Sequence, residues 1–136
     1  MSPAVRTRFL FAGLVLGGLV AWLAPAGAQT RFLSMFDDVP LPPPLAERAD
    51  ASFSFPAGAG HIAETAAAGP ADEGAVRAYY DAALPALGWS QEVDDAGGLA
   101  FVRGRERLTL AFARGSDGGL VVRYRIVART ASLALD

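Results

Sequence analysis

The stretch VRAYYDAALPALGW, residues 76–89, decides how this chain is read. Val76, Tyr79, Tyr80, Ala83, Leu84 and Leu87 stand at i, i+3, i+4, i+7, i+8 and i+11, one apolar stripe with the period of an amphipathic helix. Just upstream, Asp72 offers a side-chain oxygen to the free amides of a first turn, and Glu73 puts negative charge at the positive end of the helix dipole. Arg77 and Asp81 lie four apart and off the stripe, where they can pair weakly in water. Pro85 removes a hydrogen bond only where the helix is ending, and Gly88 supplies the left-handed residue that stops it. The spacing predicts a helix over about 72–87, with Trp89 opening the next strand and folding back on the helix end. A rival reading makes Tyr79, Tyr80 and Trp89 a ligand cleft. Aromatics at helical spacing more often build a core, because each buries a large apolar area, so packing is the expectation.

Downstream of Trp89 the period changes from 3.6 to two. WSQEVDD, LAFVR, RLTLAFAR and LVVRYRIVAR read as four strands, separated by the turns DDAGG, a two-residue link at Gly104-Arg105, and GSDGG. Leu108, Leu110 and Phe112 share one face, as do Leu120, Val122, Tyr124 and Ile126. Arg107, Thr109, Ala111 and Val121, Arg123, Arg125 fall on the opposite faces. A type II′ turn with Gly104 first keeps the apolar pattern aligned. It sets Arg103 opposite Glu106, Phe101 opposite Leu108 and Leu99 opposite Leu110, and sends Arg107 to the far face. Upstream of the helix, SFSF alternates, so Phe53 and Phe55 point one way and the serines the other. PAGAG is turn chemistry and HIAETAA is the return strand, although alanine is a poor strand former. The whole is an α+β, two-layer domain: an N-terminal β-hairpin, one main helix, then an antiparallel meander of about four strands.

Residues 29–48 open the region expected after export. Four prolines between Pro40 and Pro44 predict an extended, polyproline-type strap that lays Val39, Leu41 and Leu45 on the domain surface. The first 28 residues look like a signal peptide. Arg6 and Arg8 precede a 16-residue apolar run, Phe9 to Ala24, followed by Ala26-Gly27-Ala28 as a small-residue cleavage site. At about 1.5 Å per residue the run reaches roughly 24 Å, short of a hydrocarbon core of about 30 Å. Cleavage after Ala28 is favoured over the alternative, an inner-membrane protein anchored by residues 9–24 and facing the periplasm. The expected organisation is a signal peptide at 1–28, an extended proline-rich segment at 29–48, a single α+β domain at 49–130 and a C-terminal tail at 131–136.

The stretches FPAGAGHIAETAAAG (55–69), VRAYYDAALPALGW (76–89) and FVRGRERLTL (101–110) together resemble a family of small exported proteobacterial proteins of unknown function. Its signature is a V-x-x-Y/F-Y…L-P-x-L-G-W helix between a hairpin and an arginine-containing meander. The resemblance covers most of residues 36–127. It implies this element order and brings no activity and no site residues.

Composition narrows the chemistry. The chain has no cysteine, which removes disulfides, thiolate metal sites and a cysteine nucleophile. Its single histidine, His61, removes multi-histidine metal centres. His61 has Ser52, Ser54, Glu64 and Thr65 near it in sequence, in no catalytic spacing, so a strand-edge histidine is expected. The pairs Asp37-Asp38 and Asp94-Asp95 lie in no spaced calcium loop and read as entry and turn residues. The GAGH glycines lack the lysine and helix of a phosphate loop. No cofactor is expected.

Charge is segregated along the chain. Residues 29–99 sum to minus 8 and residues 100–129 to plus 5, all of the latter's basic residues being arginine. A net acidic chain on an export route argues against nucleic acid. Arg107, Arg123 and Arg125 form a candidate face for an anionic envelope component or an envelope protein, or else a patch covered by the acidic N-terminal segment, which is the expected outcome. The expectation for function is a non-enzymatic, exported, periplasmic interaction or accessory module. The alternative is a small-ligand binder using a helix–sheet cleft at Tyr80 and Trp89.

Overall fold

The computed structural model describes residues 29–130. The signal segment, the alternative anchor at 9–24 and the C-terminal tail lie outside the described residues. Eight strands and one helix follow in the order β1 (Arg31–Leu33), β2 (Phe36–Leu41), β3 (Ala46–Pro56), β4 (Gly60–Gly69), α1 (Glu73–Ala86), β5 (Ser90–Glu92), β6 (Leu99–Arg103), β7 (Glu106–Arg114) and β8 (Leu120–Arg129). β1 and β2 form a small hairpin; the other six strands form one antiparallel sheet in the order β3-β4-β8-β7-β6-β5. Among the described residues no helix is long and apolar enough to cross a membrane.

The helix forms where its stripe predicts. The Asp72 side chain accepts from the Ala75 amide at 2.9 Å and Glu73 sits in the first turn. At the other end the Gly88 amide donates to the Pro85 carbonyl and the Trp89 amide to the Leu84 carbonyl, with Gly88 at φ +90°. That pair of bonds satisfies two of the carbonyls that the end of the helix leaves without intrahelical partners. Val76, Tyr80 and Leu84 are buried, whereas Leu87, the last residue of the stripe, is exposed because the helix has left the sheet by that point. Arg77 does not pair with Asp81. It bonds Glu73 at 2.9 Å, donates to the Gly97 carbonyl at 2.6 Å and lies over the Phe112 ring at 4.5 Å. Asp81 instead accepts from the Gln91 amide at 3.0 Å.

The β6–β7 register is the expected one: Arg103 faces Glu106, Phe101 faces Leu108 and Leu99 faces Leu110. Gly104 turns at φ +57° and among the described residues no non-glycine residue has positive φ, which fits the type II′ geometry. β8 then runs between β7 and β4, so that Leu110 and Thr65 flank Tyr124.

The proline-rich segment is more than a strap. Residues 31–41 form the β1–β2 hairpin, whose Leu33, Phe36, Val39 and Leu41, together with Leu45, are buried in one core with α1 and the inner face of the sheet. The expected division after residue 48 therefore falls inside β3, and Val39, Leu41 and Leu45 are core residues of the single domain. Five apolar side chains before, among and after the prolines gain more by burial than by lying extended on a surface. The hairpin is fastened by its tip: the Ser34 amide and hydroxyl donate to the Glu47 carboxylate at 3.0 and 2.8 Å. Inside, the Tyr80 hydroxyl donates to the Pro40 carbonyl at 2.7 Å and meets the Tyr124 hydroxyl at 2.7 Å, joining hairpin, helix and sheet.

Candidate functional site

Helix and hairpin both lie on one side of the six-stranded sheet. Residues directly opposite each other in antiparallel strands share a face, so the register gives the composition of the other side. One row across the sheet reads Phe53, Glu64, Arg125, Thr109, Ala100, Glu92 from β3 to β5. The next reads Phe55, Ile62, Val127, Arg107, Val102, Ser90. A third reads Arg48, Ala66, Arg123, Ala111. Arg129 follows Val127 by alternation.

Arg107, Arg123 and Arg125 thus occupy one face, as their spacing predicts. The expectation that the acidic N-terminal segment covers them is overturned: that segment is the β1–β2 hairpin, buried on the opposite side. Its apolar positions, not its charges, decide where it lies. Among the described residues nothing outside the sheet covers the arginine face. Two of these three arginines have partners within the face, and Arg48, on the same face, lies 3.8 Å from Asp50. Arg107 lies 3.3 Å from Glu92, and Arg123 lies 3.5 Å from Glu64. The Arg107 pair is open to solvent and weak, whereas in the Arg123 pair the carboxylate is mostly buried and the guanidinium exposed. Arg125 and Arg129 have no ion pair among the described residues. Five arginines, at 48, 107, 123, 125 and 129, stand against Glu64, Glu92 and the edge residue Asp50. The helix and hairpin side carries Asp37, Asp38, Glu47, Asp72, Glu73, Asp81 and Glu106 against Arg31, Arg77, Arg103 and Arg114. The charge split along the chain has become a split between two faces.

Sequence reasoning missed the aromatic part of this face. Phe53 and Phe55 are 47% and 44% exposed, and their rings stack at 5.9 Å with 17° between planes. The SFSF alternation shows that both phenylalanines point one way. Only the pairing with Glu64 and Ile62 shows that this way is outward.

The cleft expected around Tyr80 and Trp89 is filled by those side chains. Tyr80 is wholly buried and Trp89 is 2% exposed. Burial pushes the Tyr80 and Tyr124 hydroxyls well above their ordinary range. The Arg103 guanidinium lies 4.3 Å above the Trp89 ring, held between Asp38 and Glu106. Tyr79 alone reaches the surface, where it borders grooves lined by Leu41, Pro43, Pro44 and Leu45 and by Pro70, Ala71 and Val76.

His61 lies on the inner side of β4 and its Nε2 is 2.5 Å from the Ser54 hydroxyl. It borders a groove of about 490 Å³ shared with Asp37, Asp38, Arg103 and Glu106. The hydrogen bonds of the described residues join no carboxylate to its ring. A serine–histidine contact without a group to orient the imidazole lacks the third member of an activated nucleophile. Asp94 behaves as a turn residue, its carboxylate accepting from the Gly98 amide at 2.8 Å.

No family model, curated protein or solved structure matches this chain.

Proposed function

We propose that this chain is a non-enzymatic, exported interaction module of the cell envelope, and that it docks an anionic component on the outer face of its sheet. The observation that carries this reading is the arginine face. Arg107, Arg123 and Arg125 stand together on a sheet face that no described helix or hairpin covers, while the acids gather on the other side. A flat, solvent-facing array of guanidinium groups suits phosphate, carboxylate or sulfate groups presented on a surface. The opposed acidic side orients the molecule as it approaches.

Retention on immobilised dextran sulfate tests this. The chain from Gln29 to Asp136 contains every described element and buried side chain, and is expected to bind at low salt and elute as salt rises. Arg123→Ala/Arg125→Ala is expected to elute at clearly lower salt. Identical elution of the two proteins overturns the assignment of this face.

A further inference from the structure

We infer that the occupant of the sheet face is an anionic lipid bilayer, entered by the Phe53–Phe55 ring pair while the neighbouring arginines hold lipid phosphates. This rests on the reading of the face as an anion-binding surface and goes beyond it by fixing the partner's chemistry.

The argument begins with the phenylalanines. A soluble domain of this size has a core available for aromatic rings, and here Phe101 is fully buried in it. Phe53 and Phe55 instead stand on the outer face of the edge strand, nearly half exposed and stacked only on each other. A ring without a polar edge gains nothing from a hydrated sugar hydroxyl and much from an acyl-chain boundary. Ile62 and Val127 continue the Phe55 row toward the middle of the sheet. They make a short apolar band and not two isolated side chains.

The basic groups are placed beside this band. Arg125 stands two strands from Phe53 in the same row, about 10 Å away at the usual strand spacing. Arg107 follows Val127 in the Phe55 row, Arg125 and Arg129 flank Val127 along β8, and Arg123 lies one row beyond Arg125. Long arginine side chains can rest their stems on the band and raise their charged ends to the headgroup level. Arg123 is two-thirds exposed, against a sixth for its partner Glu64, so the guanidinium is already the outermost part of that pair. Rings at one corner and guanidinium groups across the rest match an interface that is apolar below and anionic above. A purely electrostatic partner, such as a charged polysaccharide, uses the arginines and leaves the ring pair without a role.

The test is co-sedimentation of the chain from Gln29 to Asp136 with vesicles of phosphatidylethanolamine and phosphatidylglycerol, beside vesicles of phosphatidylcholine alone. Binding to the anionic vesicles is expected, with little to the neutral ones. Arg123→Ala/Arg125→Ala is expected to weaken it about thirty-fold, at roughly five-fold for each basic residue near such a surface. Phe53→Ser/Phe55→Ser is expected to weaken vesicle binding more than tenfold while leaving retention on dextran sulfate unchanged. Exposed rings are dispensable for folding, and an unchanged urea midpoint confirms this for the variant. Phe55→Trp adds a direct reading: its emission is expected to shift to the blue on anionic vesicles, while Trp89 stays buried and constant.

Retention on dextran sulfate without vesicle binding overturns the lipid inference and leaves the anion-binding face standing. Equal vesicle binding by the parent chain and the serine variant, or an unshifted Phe55→Trp emission on bound vesicles, also overturns it. Binding to neither material overturns both readings.

Discussion

Replacing Tyr80 by phenylalanine should cost far more than the same change at Tyr124, although both side chains are fully buried and the two hydroxyls touch. A phenol has one proton. The Pro40 carbonyl can only accept, so the Tyr80 proton is committed to it, and Tyr124 must donate to the Tyr80 oxygen. Tyr80→Phe breaks both bonds and leaves two buried polar groups, the Tyr124 hydroxyl and the Pro40 carbonyl, without these partners. At roughly 1–2 kcal/mol for each such group the loss is about 2–4 kcal/mol. Tyr124→Phe breaks one bond and leaves Tyr80 donating as before, for about 1 kcal/mol. The double variant should cost no more than Tyr80→Phe alone, because the Tyr124 hydroxyl is no longer stranded. The two changes are therefore expected to be non-additive by about 1 kcal/mol. Urea unfolding followed by Trp89 fluorescence and far-ultraviolet circular dichroism measures all three, with unchanged slopes showing that the denatured state is the same. Equal costs for the two single variants, or strict additivity, would refute the donor assignment and with it the account of how the hairpin is fastened.

Leu84→Ala, at a fully buried position of α1, should lower stability by about 2–5 kcal/mol in the same urea experiment. Arg77→Ala should cost about 1–2 kcal/mol, above the few tenths of an exposed helix residue, because Arg77 holds the Gly97 carbonyl and covers Phe112; Glu73→Ala, which removes the exposed ion pair and a first-turn negative charge, should stay within about 1 kcal/mol. Gly98→Ala should destabilise by roughly 1–3 kcal/mol or more, read as a lowered melting temperature, since the new Cβ would meet the Leu110 carbonyl oxygen of the neighbouring strand. Tyr79, Tyr80 and Tyr124 all have hydroxyls raised by burial above their ordinary value near 10. Their contribution to stability is full below that pH and is lost as pH rises through the folded-state values, because the unfolded chain ionises first. Ultraviolet titration should show tyrosinate appearing together with unfolding.

The helix, its caps and the β6–β7 register were legible because each depends on near neighbours in sequence. A 3.6-residue stripe ends at a glycine, and a two-residue turn admits one alignment. Propensity argued against β4, which the hairpin pattern nonetheless read as the return strand that the structure shows. Its alanines make a weak strand by themselves, yet Ala63 and Ala67 lie on the inner face of a central strand, where small side chains leave room for the elements above. The β1–β2 hairpin was hidden for a related reason. Its prolines dominate local reading, while its burial depends on distant Tyr80 and Tyr124. The arginine face was half legible. Alternation placed Arg107, Arg123 and Arg125 on the sides of their strands opposite the apolar residues, but no local pattern says that β8 lies beside β4. That pairing alone brings Phe53, Phe55 and Arg48 onto the same surface.

The strand order also constrains when the chain can fold. Among the described strands β8 is the last in sequence and the central seam of the sheet, with ten residues paired to β4 on one side and nine to β7 on the other. Before residues 120–129 are available there are only a two-stranded piece and a three-stranded piece, each with a bare inner edge and no common core. Contacts between segments so far apart in sequence form late. Until residues 120–129 have left the ribosome, the described strands before them therefore form an incomplete, edge-exposed chain. A chain truncated just before Leu120 should carry two sheet pieces with bare, adhesive edges in place of a smaller stable domain.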